Sequence, residues 1–213
     1  MPSDITDLKR AQTAQKLLMD ELNHRVKNML AVVQAISRQT KRAHADPESF
    51  YEALEQRLMA LSAAHNLLTR TNWEGTTLSD LAKSLISTFG LDEKRLVLEG
   101  PSVALSPNAA ISLCLAFHEL ATNAMKYGPW SGDRGTVTLT WQALPKMEPP
   151  QLVILWVERG GPKVNEPKKK GFGTQLLERT VGPEFGGAVD LDFAERGLTC
   201  RMELTLNDKI RLG

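Results

Sequence analysis

The sequence predicts an α+β protein: an N-terminal helical hairpin over residues 1–71, then a two-layer α/β sandwich over residues 72–213. Three observations carry this expectation. Apolar residues at Leu8, Ala11, Leu18, Leu22, Val26, Met29, Val33 and Ile36 fall at steps of three, four or seven, which places them on one helix face. Past Asn72-Trp73-Glu74-Gly75 the pattern changes from long helical stripes to helices alternating with strand-like runs. Those runs read as antiparallel strands with the helices segregated from them, the arrangement of a two-layer sandwich.

The first helix is expected over about residues 4–43. Its stripe takes two successive steps of four, Leu18 to Leu22 to Val26, a stutter that relaxes left-handed supercoiling beside His24. Asp46-Pro47-Glu48 marks the next start, with Asp as N-cap, Pro at the first helical position and an acid in the first turn. Tyr51, Leu54, Leu58, Leu61, His65 and Leu68 form the second stripe, which ends near Thr71, and His65 on it reads as structural. Two such helices joined by a short turn make an antiparallel hairpin. A hairpin cannot enclose its own stripe, so it is expected to pair with a second copy or with the C-terminal domain.

In that domain, residues 78–89 read as a helix capped near Thr77 or Ser79 and followed by Gly90, and residues 95–99 as a strand closed by Gly100-Pro101. Ser106-Pro107 opens the most strongly patterned helix, which runs to Tyr127 and stops at Gly128. Residues 136–142 and 151–158 are strand-like, rich in Val, Thr, Ile, Leu and Trp. A short helix over about 174–181 follows Gly171-Phe172-Gly173. Residues 189–193 and 198–206 form a terminal hairpin turning at Glu195-Arg196-Gly197.

Composition excludes several classes. Lys and Arg number 26 against 25 Asp and Glu, and a net charge of +1 gives no electrostatic case for nucleic acid. Cys114 and Cys200 lack metal-site spacing and read as small core residues of a reducing compartment. The first twenty residues contain no apolar h-region, and the longest apolar stretches fall far short of the ~20 residues that span a bilayer. A cytoplasmic protein without a secretory signal or membrane segment is expected.

Four stretches carry chemistry. Glu21, His24 and Asn28 share one face of the first helix, where a neutral imidazole can act as a nucleophile. The same octet also fits a solvated histidine on a polar face. Glu119, Asn123 and Lys126 are spaced four and three apart and are expected to project together, offering oxygens for Mg²⁺ and a cation for phosphate. An ordinary exposed Glu/Lys pair fits them equally. Glu158, at the end of a strand and followed by Arg159-Gly160-Gly161-Pro162, can accept from an adenine amino group while the glycines let a flat base approach, although by itself an ordinary Gly-Gly turn after a strand fits it better. Gly171-Phe172-Gly173-Thr174 opens a short helix whose N–H groups favour phosphate, and Lys168, Lys169 and Lys170 just before it could close over phosphates, though a lone Gly-x-Gly is a weak signal and such a run is more often merely solvated.

In this order, the segment from His118 to Gly128, Trp156-Val157-Glu158 and Gly171–Thr174 resemble the HWE histidine kinases, a branch of the sensor kinases with the GHKL-type ATP-binding fold. The octet around His24 resembles the matching phosphoacceptor region, and the resemblance covers about Asp20 to Leu206. It implies that His24 is the phosphoacceptor, with Glu21 as base or orienter and Asn28 positioning water or the acceptor. Asn123 is implied as the Mg²⁺ ligand, beside Glu119, at whose position many relatives of the wider superfamily carry asparagine. His118 is implied to orient Glu119 or the lid, a short one from Lys163 to Lys170. Glu158 replaces the usual adenine-reading aspartate, Gly160, Gly171 and Gly173 fit the G-box glycines, and Pro162 stands where the wider superfamily often has another glycine. Lys126, Tyr127, Trp156, Gly161, Phe172 and Thr174 complete the implied nucleotide site.

The implied activity is that of a two-component transmitter: ATP and Mg²⁺ bind, His24 takes the γ-phosphoryl group, and a response-regulator receiver domain accepts it. A homodimer through the hairpin goes with this reading. Two rivals stay open, a phosphotransfer or scaffold protein with an inactive ATP-binding domain, and a GHKL serine kinase acting on a partner protein.

Overall fold

The computed structural model describes residues 3–43, 46–71, 73–164 and 172–213. The chain divides into two compact units, Met1–Leu54 and Glu55–Gly213.

The first unit is built on α1 (Ser3–Ala43), a single helix of 41 residues with Lys41 and Arg42 in its last turn, where cations suit the helix dipole. Asp46 starts α2 (Pro47–Arg70) as expected: its Oδ2 accepts from the Ser49 N–H at 2.9 Å. The stripe on α1 is buried only in part. Ile36 is 3% exposed, whereas Leu22 and Val26 are about half exposed, at 54% and 49%.

α2 crosses from the first unit into the second. Its buried residues are Arg57, Ala60, Leu61, Ala64 and Leu68, while Tyr51, Leu58 and His65 are exposed. Leu61 and Leu68 are buried as the expected stripe placed them, while Tyr51, Leu58 and His65 are not, which corrects the rest of it. The physical reason is close helix packing: the small alanines admit the helix Pro107–Lys126, so that the Cys114 thiol reaches the Ala60 carbonyl at 3.6 Å. His65 instead meets the Trp73 ring edge-on at 5.3 Å.

In the second unit a five-stranded sheet runs in the order β2-β4-β5-β7-β6, formed by β2 (Leu96–Glu99), β4 (Thr136–Leu144), β5 (Gln151–Arg159), β6 (Ala188–Ala194) and β7 (Gly197–Thr205). β2 is parallel to β4, and every other pair is antiparallel. The parallel pair departs from the all-antiparallel expectation because β2 and β4 are joined by a long crossover through α4 (Pro107–Lys126) rather than a tight turn. Three further strands, β1 (Thr76–Thr77), β3 (Val103–Leu105) and β8 (Ile210–Leu212), make a small antiparallel sheet absent from the sequence reading. Strands of two and three residues are too short to show an alternating pattern.

α4 begins as its sequence dictates, with Ser106 as N-cap and Pro107 in its first turn. Twelve of its residues are buried, and with α3 (Leu78–Phe89) it belongs to the helical layer. The pleat and the register of β4 against β5 put Val137, Leu139, Trp141, Leu152, Ile154, Trp156 and Glu158 on one face, and Val153 is buried on the other. The short helix expected near 174–181 starts earlier, as α5 (Phe172–Leu176), and continues as a π-helical turn to Val181. Gly171 and Lys168–Lys170 lie outside the described residues.

Candidate functional site

The last three turns of α4 place His118, Glu119, Asn123 and Lys126. His118 is buried, with its ring tilted against Phe89 at 5.1 Å and Thr122 Oγ1 3.5 Å from its Nδ1. Burial, and secondarily the Arg57 charge, lower its pKa to about 4. His118 is therefore a neutral, packed side chain at neutral pH. Glu119 is held by Arg57, whose Nε donates to Oε1 at 2.7 Å and whose Nη2 donates to Oε2 at 3.4 Å. Asn123, Lys126 and Tyr127 are exposed. The polar face expected on this helix thus divides, with Glu119 drawn to α2 and Asn123 and Lys126 left open.

Gly173 in α5 lies directly over this face. A Cβ there would stand 3.1 Å from Glu119 Oε2 and 3.5 Å from Asn123 Nδ2, so the backbone of α5 approaches both side chains closely. Gly173, Glu119 and Asn123, far apart in sequence, are brought together. Thr174 follows in the same helix, partly buried, and Phe172 is its first residue.

The end of β5 makes a second polar point. Trp156 and Glu158 lie two residues apart and so point the same way. The Trp156 ring is fully buried, edge-on to Trp130 at 5.6 Å, and its Nε1 donates to Glu158 Oε1 at 3.0 Å. Glu158 is 3% exposed. Burial raises its pKa to about 7, opposed by the Trp156 hydrogen bond and one from the Leu198 backbone. Gly128, just past α4, covers its other oxygen: a Cβ there would come within 2.6 Å of Oε2. Gly160 turns the chain at φ +74° after β5, and Gly161 packs on the backbone of Gly128 and Pro129.

Two residues that the sequence reading passed over organise these points. Arg95 donates to the carbonyls of Pro129 (2.9 Å), Gly135 (3.1 Å) and Gly132, and accepts from Trp130 Nε1 at its own carbonyl (3.1 Å). It staples the 128–135 loop beside Glu158. Arg57 is the other. An arginine three residues from Ala60 and seven from Ala64, on the small-residue face of an otherwise leucine-rich helix, is the signal that would have found it.

In the first unit His24 is exposed, and Asn28 Nδ2 lies 3.4 Å from its Nδ1. Glu21 binds Arg25 at 2.7 Å, one turn along. The contact at Nδ1 leaves Nε2 as the ring nitrogen facing outward.

No group of three or more His, Cys, Asp or Glu among the described residues forms a metal cage. Mg²⁺ carried by a nucleotide needs no cage, since it keeps waters and phosphate oxygens and takes one or two protein oxygens. Asn123, exposed beside Gly173, fits that requirement. Among the described residues no helix is long and apolar enough to cross a membrane.

Comparison with known proteins agrees with this geometry. Residues 21–102 match the family model described as HWE histidine kinase. The blue-light-activated histidine kinase of Brucella anthropi is 40% identical over 199 residues, covering 92% of this chain and 40% of its own length. That of Brucella ovis is 36% identical over 196 residues, with the same coverage of 92% and 40%. The solved structure of the Erythrobacter litoralis EL346 blue-light activated histidine kinase superimposes with a TM-score of 0.59 at 18% identity, covering 87% of this chain and 58% of that one. At such identity the likeness is one of fold, and it shows the fold class expected from the sequence. The chain spans 40% of the length of the curated relatives it matches.

Proposed function

As this chain belongs to the HWE histidine kinases, we propose that it is a two-component transmitter module that transfers the γ-phosphoryl group of ATP to His24. In this reading residues 1–71 carry the phosphoacceptor and residues 72–213 bind ATP. The observation that carries it is the seating of Gly173 against Glu119 and Asn123, which brings polar groups of α4 and the backbone of α5 together. Glu158, at the end of β5, supplies the adenine-reading acceptor. Asn123 would hold Mg²⁺ and Lys126 would face phosphate charge. When bound, ATP supplies the phosphoryl group and Mg²⁺ neutralises charge on its oxygens.

At the acceptor, Asn28 Nδ2 faces Nδ1 at 3.4 Å, and a flip of that amide would let its oxygen accept from Nδ1–H and leave the Nε2 lone pair free to attack. Nε2 then forms the N–P bond as the bond from phosphorus to the β-phosphate oxygen breaks and ADP departs. The ring's positive charge is relieved by loss of the Nδ1 proton, for which Glu21, three residues before His24 and paired with Arg25 at 2.7 Å, is the base this reading assigns. A response-regulator receiver aspartate is the next acceptor. A homodimer through the helical region and a cytoplasmic location belong to the same proposal, the latter supported by two buried free cysteines.

The test is incubation of the chain with Mg²⁺ and ATP radiolabelled in the γ-phosphate. A label that is lost in acid and kept in alkali is expected. An acid-stable label would favour a serine kinase, and nucleotide binding without any label would favour a scaffold; either overturns the proposal.

A further inference from the structure

We propose that Arg57 is a positioning residue for phosphoryl transfer, fixing the Glu119 carboxylate at the phosphate end of the nucleotide site. The inference rests on the reading of that site given above, and nothing in the sequence motifs assigns Arg57 to it.

The geometry is specific. Arg57 grips both oxygens of Glu119 in a fork, at 2.7 Å and 3.4 Å, with side-chain exposures of 6% for Arg57 and 13% for Glu119. The gripped Oε2 is also the atom nearest to Gly173, 3.1 Å from where its Cβ would stand. One carboxylate therefore faces the guanidinium on one side and the α5 backbone, with Asn123 beside it, on the other. A planar fork removes the rotational freedom that a lone glutamate would keep, and orientation at a reacting centre is worth large factors in rate.

A tie between helices does not account for the pair. The neighbours of Arg57 along α2 are Ala60, Leu61 and Ala64, all buried. An apolar pair would join α2 to α4 at least as well, because burying two charges costs about as much as their attraction returns. Charge at this place is explained by what Glu119 does next to Gly173. Arg57 and Glu119 lie in the same unit, so one side chain ties α2 to the carboxylate within it.

The experiment uses the full chain with Arg57→Met, which keeps length without the fork, and Arg57→Lys, which keeps charge with one donor group in place of two. Calorimetry measures binding of Mg²⁺·ATP and of adenosine, and radiolabelling measures the phosphorylation rate. For Arg57→Met we expect adenosine affinity within about twofold of the wild type, Mg²⁺·ATP weaker by about fivefold or more, and labelling slower by about 50-fold or more. Arg57→Lys should recover part of the rate and part of the Mg²⁺·ATP affinity, because an ammonium holds one oxygen but not both. Wild-type behaviour of folded Arg57→Met, or equal weakening of both ligands, overturns the inference. If Arg57→Met fails to fold, Arg57→Lys decides: a lowered ratio of Mg²⁺·ATP to adenosine affinity supports the role, and wild-type values in every measurement refute it. Should the wild type not label at all, the proposed kinase activity fails, while the affinity ratio still judges Arg57.

Discussion

The Trp156 indole donates to Glu158 Oε1 at 3.0 Å from two residues earlier on the same strand. The pleat points both side chains to one face, so the donor is placed by the backbone alone. This makes the strand end a pre-oriented acceptor: one oxygen is held by Trp156 and the other is turned toward Gly128. Trp156→Phe keeps the ring in the core and removes the donor. It should cost about 1–3 kcal/mol of stability, the penalty for leaving a buried acceptor less satisfied. Urea unfolding of the two proteins at pH 8 measures it, and equal midpoints would show the hydrogen bond to be idle.

The pH dependence of stability should come from two opposed groups. Glu158 has its folded pKa raised from 4.5 to about 7, so the folded protein keeps a proton that the unfolded chain releases. Stability from this group is present below pH 4.5 and is lost as pH rises through 7, on the order of 3 kcal/mol in all. His118 has its folded pKa lowered from 6.5 to about 4, so its contribution is present above pH 6.5 and is lost as pH falls through 4. Between pH 4.5 and 6.5 the slopes offset one another. Glu158→Gln, which still accepts from Trp156, should gain stability with rising pH across that window more steeply than the wild type. His118→Gln should lose stability with rising pH through 7. Unfolding midpoints at several pH values decide, and parallel curves for all three proteins would contradict both assignments.

Base selection should follow Glu158. A carboxylate accepts from the adenine amino group but meets a carbonyl oxygen at the same place in guanine. One unpaired buried acceptor costs about 1–3 kcal/mol, so ATP should bind about tenfold or more tighter than GTP. Glu158→Gln, with its oxygen kept by the Trp156 donor, turns its amide nitrogen toward the base and should narrow or reverse that ratio. Competition binding with the two nucleotides is the measurement, and equal affinities in the wild type would remove Glu158 from the base site.

Much of this arrangement is readable in the sequence, for physical reasons that differ by element. α4 is legible because a Ser-Pro start, a long apolar period and a glycine stop agree with one another. Glu119, Asn123 and Gly173 are visible as separate signals, but their meeting depends on α5 folding back over α4, a long-range contact that no local period encodes. Arg57 escapes because the apolar stripe of α2 draws attention to Tyr51 and Leu58, which the structure leaves exposed, while the packed face combines Leu61 and Leu68 with the small Ala60 and Ala64 and with Arg57 itself. The small sheet escapes because its strands of two and three residues carry no periodic signal.

The metal should depend on Asn123. It is exposed one turn from Glu119 and beside Gly173, and alanine at its position keeps the helix. Asn123→Ala should abolish the Mg²⁺-dependent part of ATP affinity and leave the melting temperature within a few degrees. Calorimetry with and without Mg²⁺ tests this; an unchanged Mg²⁺ effect would assign the metal to another residue.

His24 is the remaining prediction, and the placement of the histidines makes it sharp. His118 is buried against Phe89 and shares a helix with Asn123, so it can serve the nucleotide site but cannot present a nitrogen to solvent. His65 is exposed but turned against Trp73, away from any polar motif. His24 alone among these three combines exposure with a polar neighbour at one ring nitrogen, Asn28 at 3.4 Å from Nδ1. Glutamine at position 24 retains polarity, similar reach and good helix propensity, so His24→Gln should fold and bind ATP as the wild type does. It should take no label from γ-labelled ATP. His118→Gln, which disturbs packing beside Glu119 without removing the acceptor, should label at a reduced but detectable rate. Parallel phosphorylation of the three proteins, with nucleotide affinity measured on each, separates loss of acceptor from loss of binding. Full labelling of His24→Gln would remove the phosphoacceptor from α1.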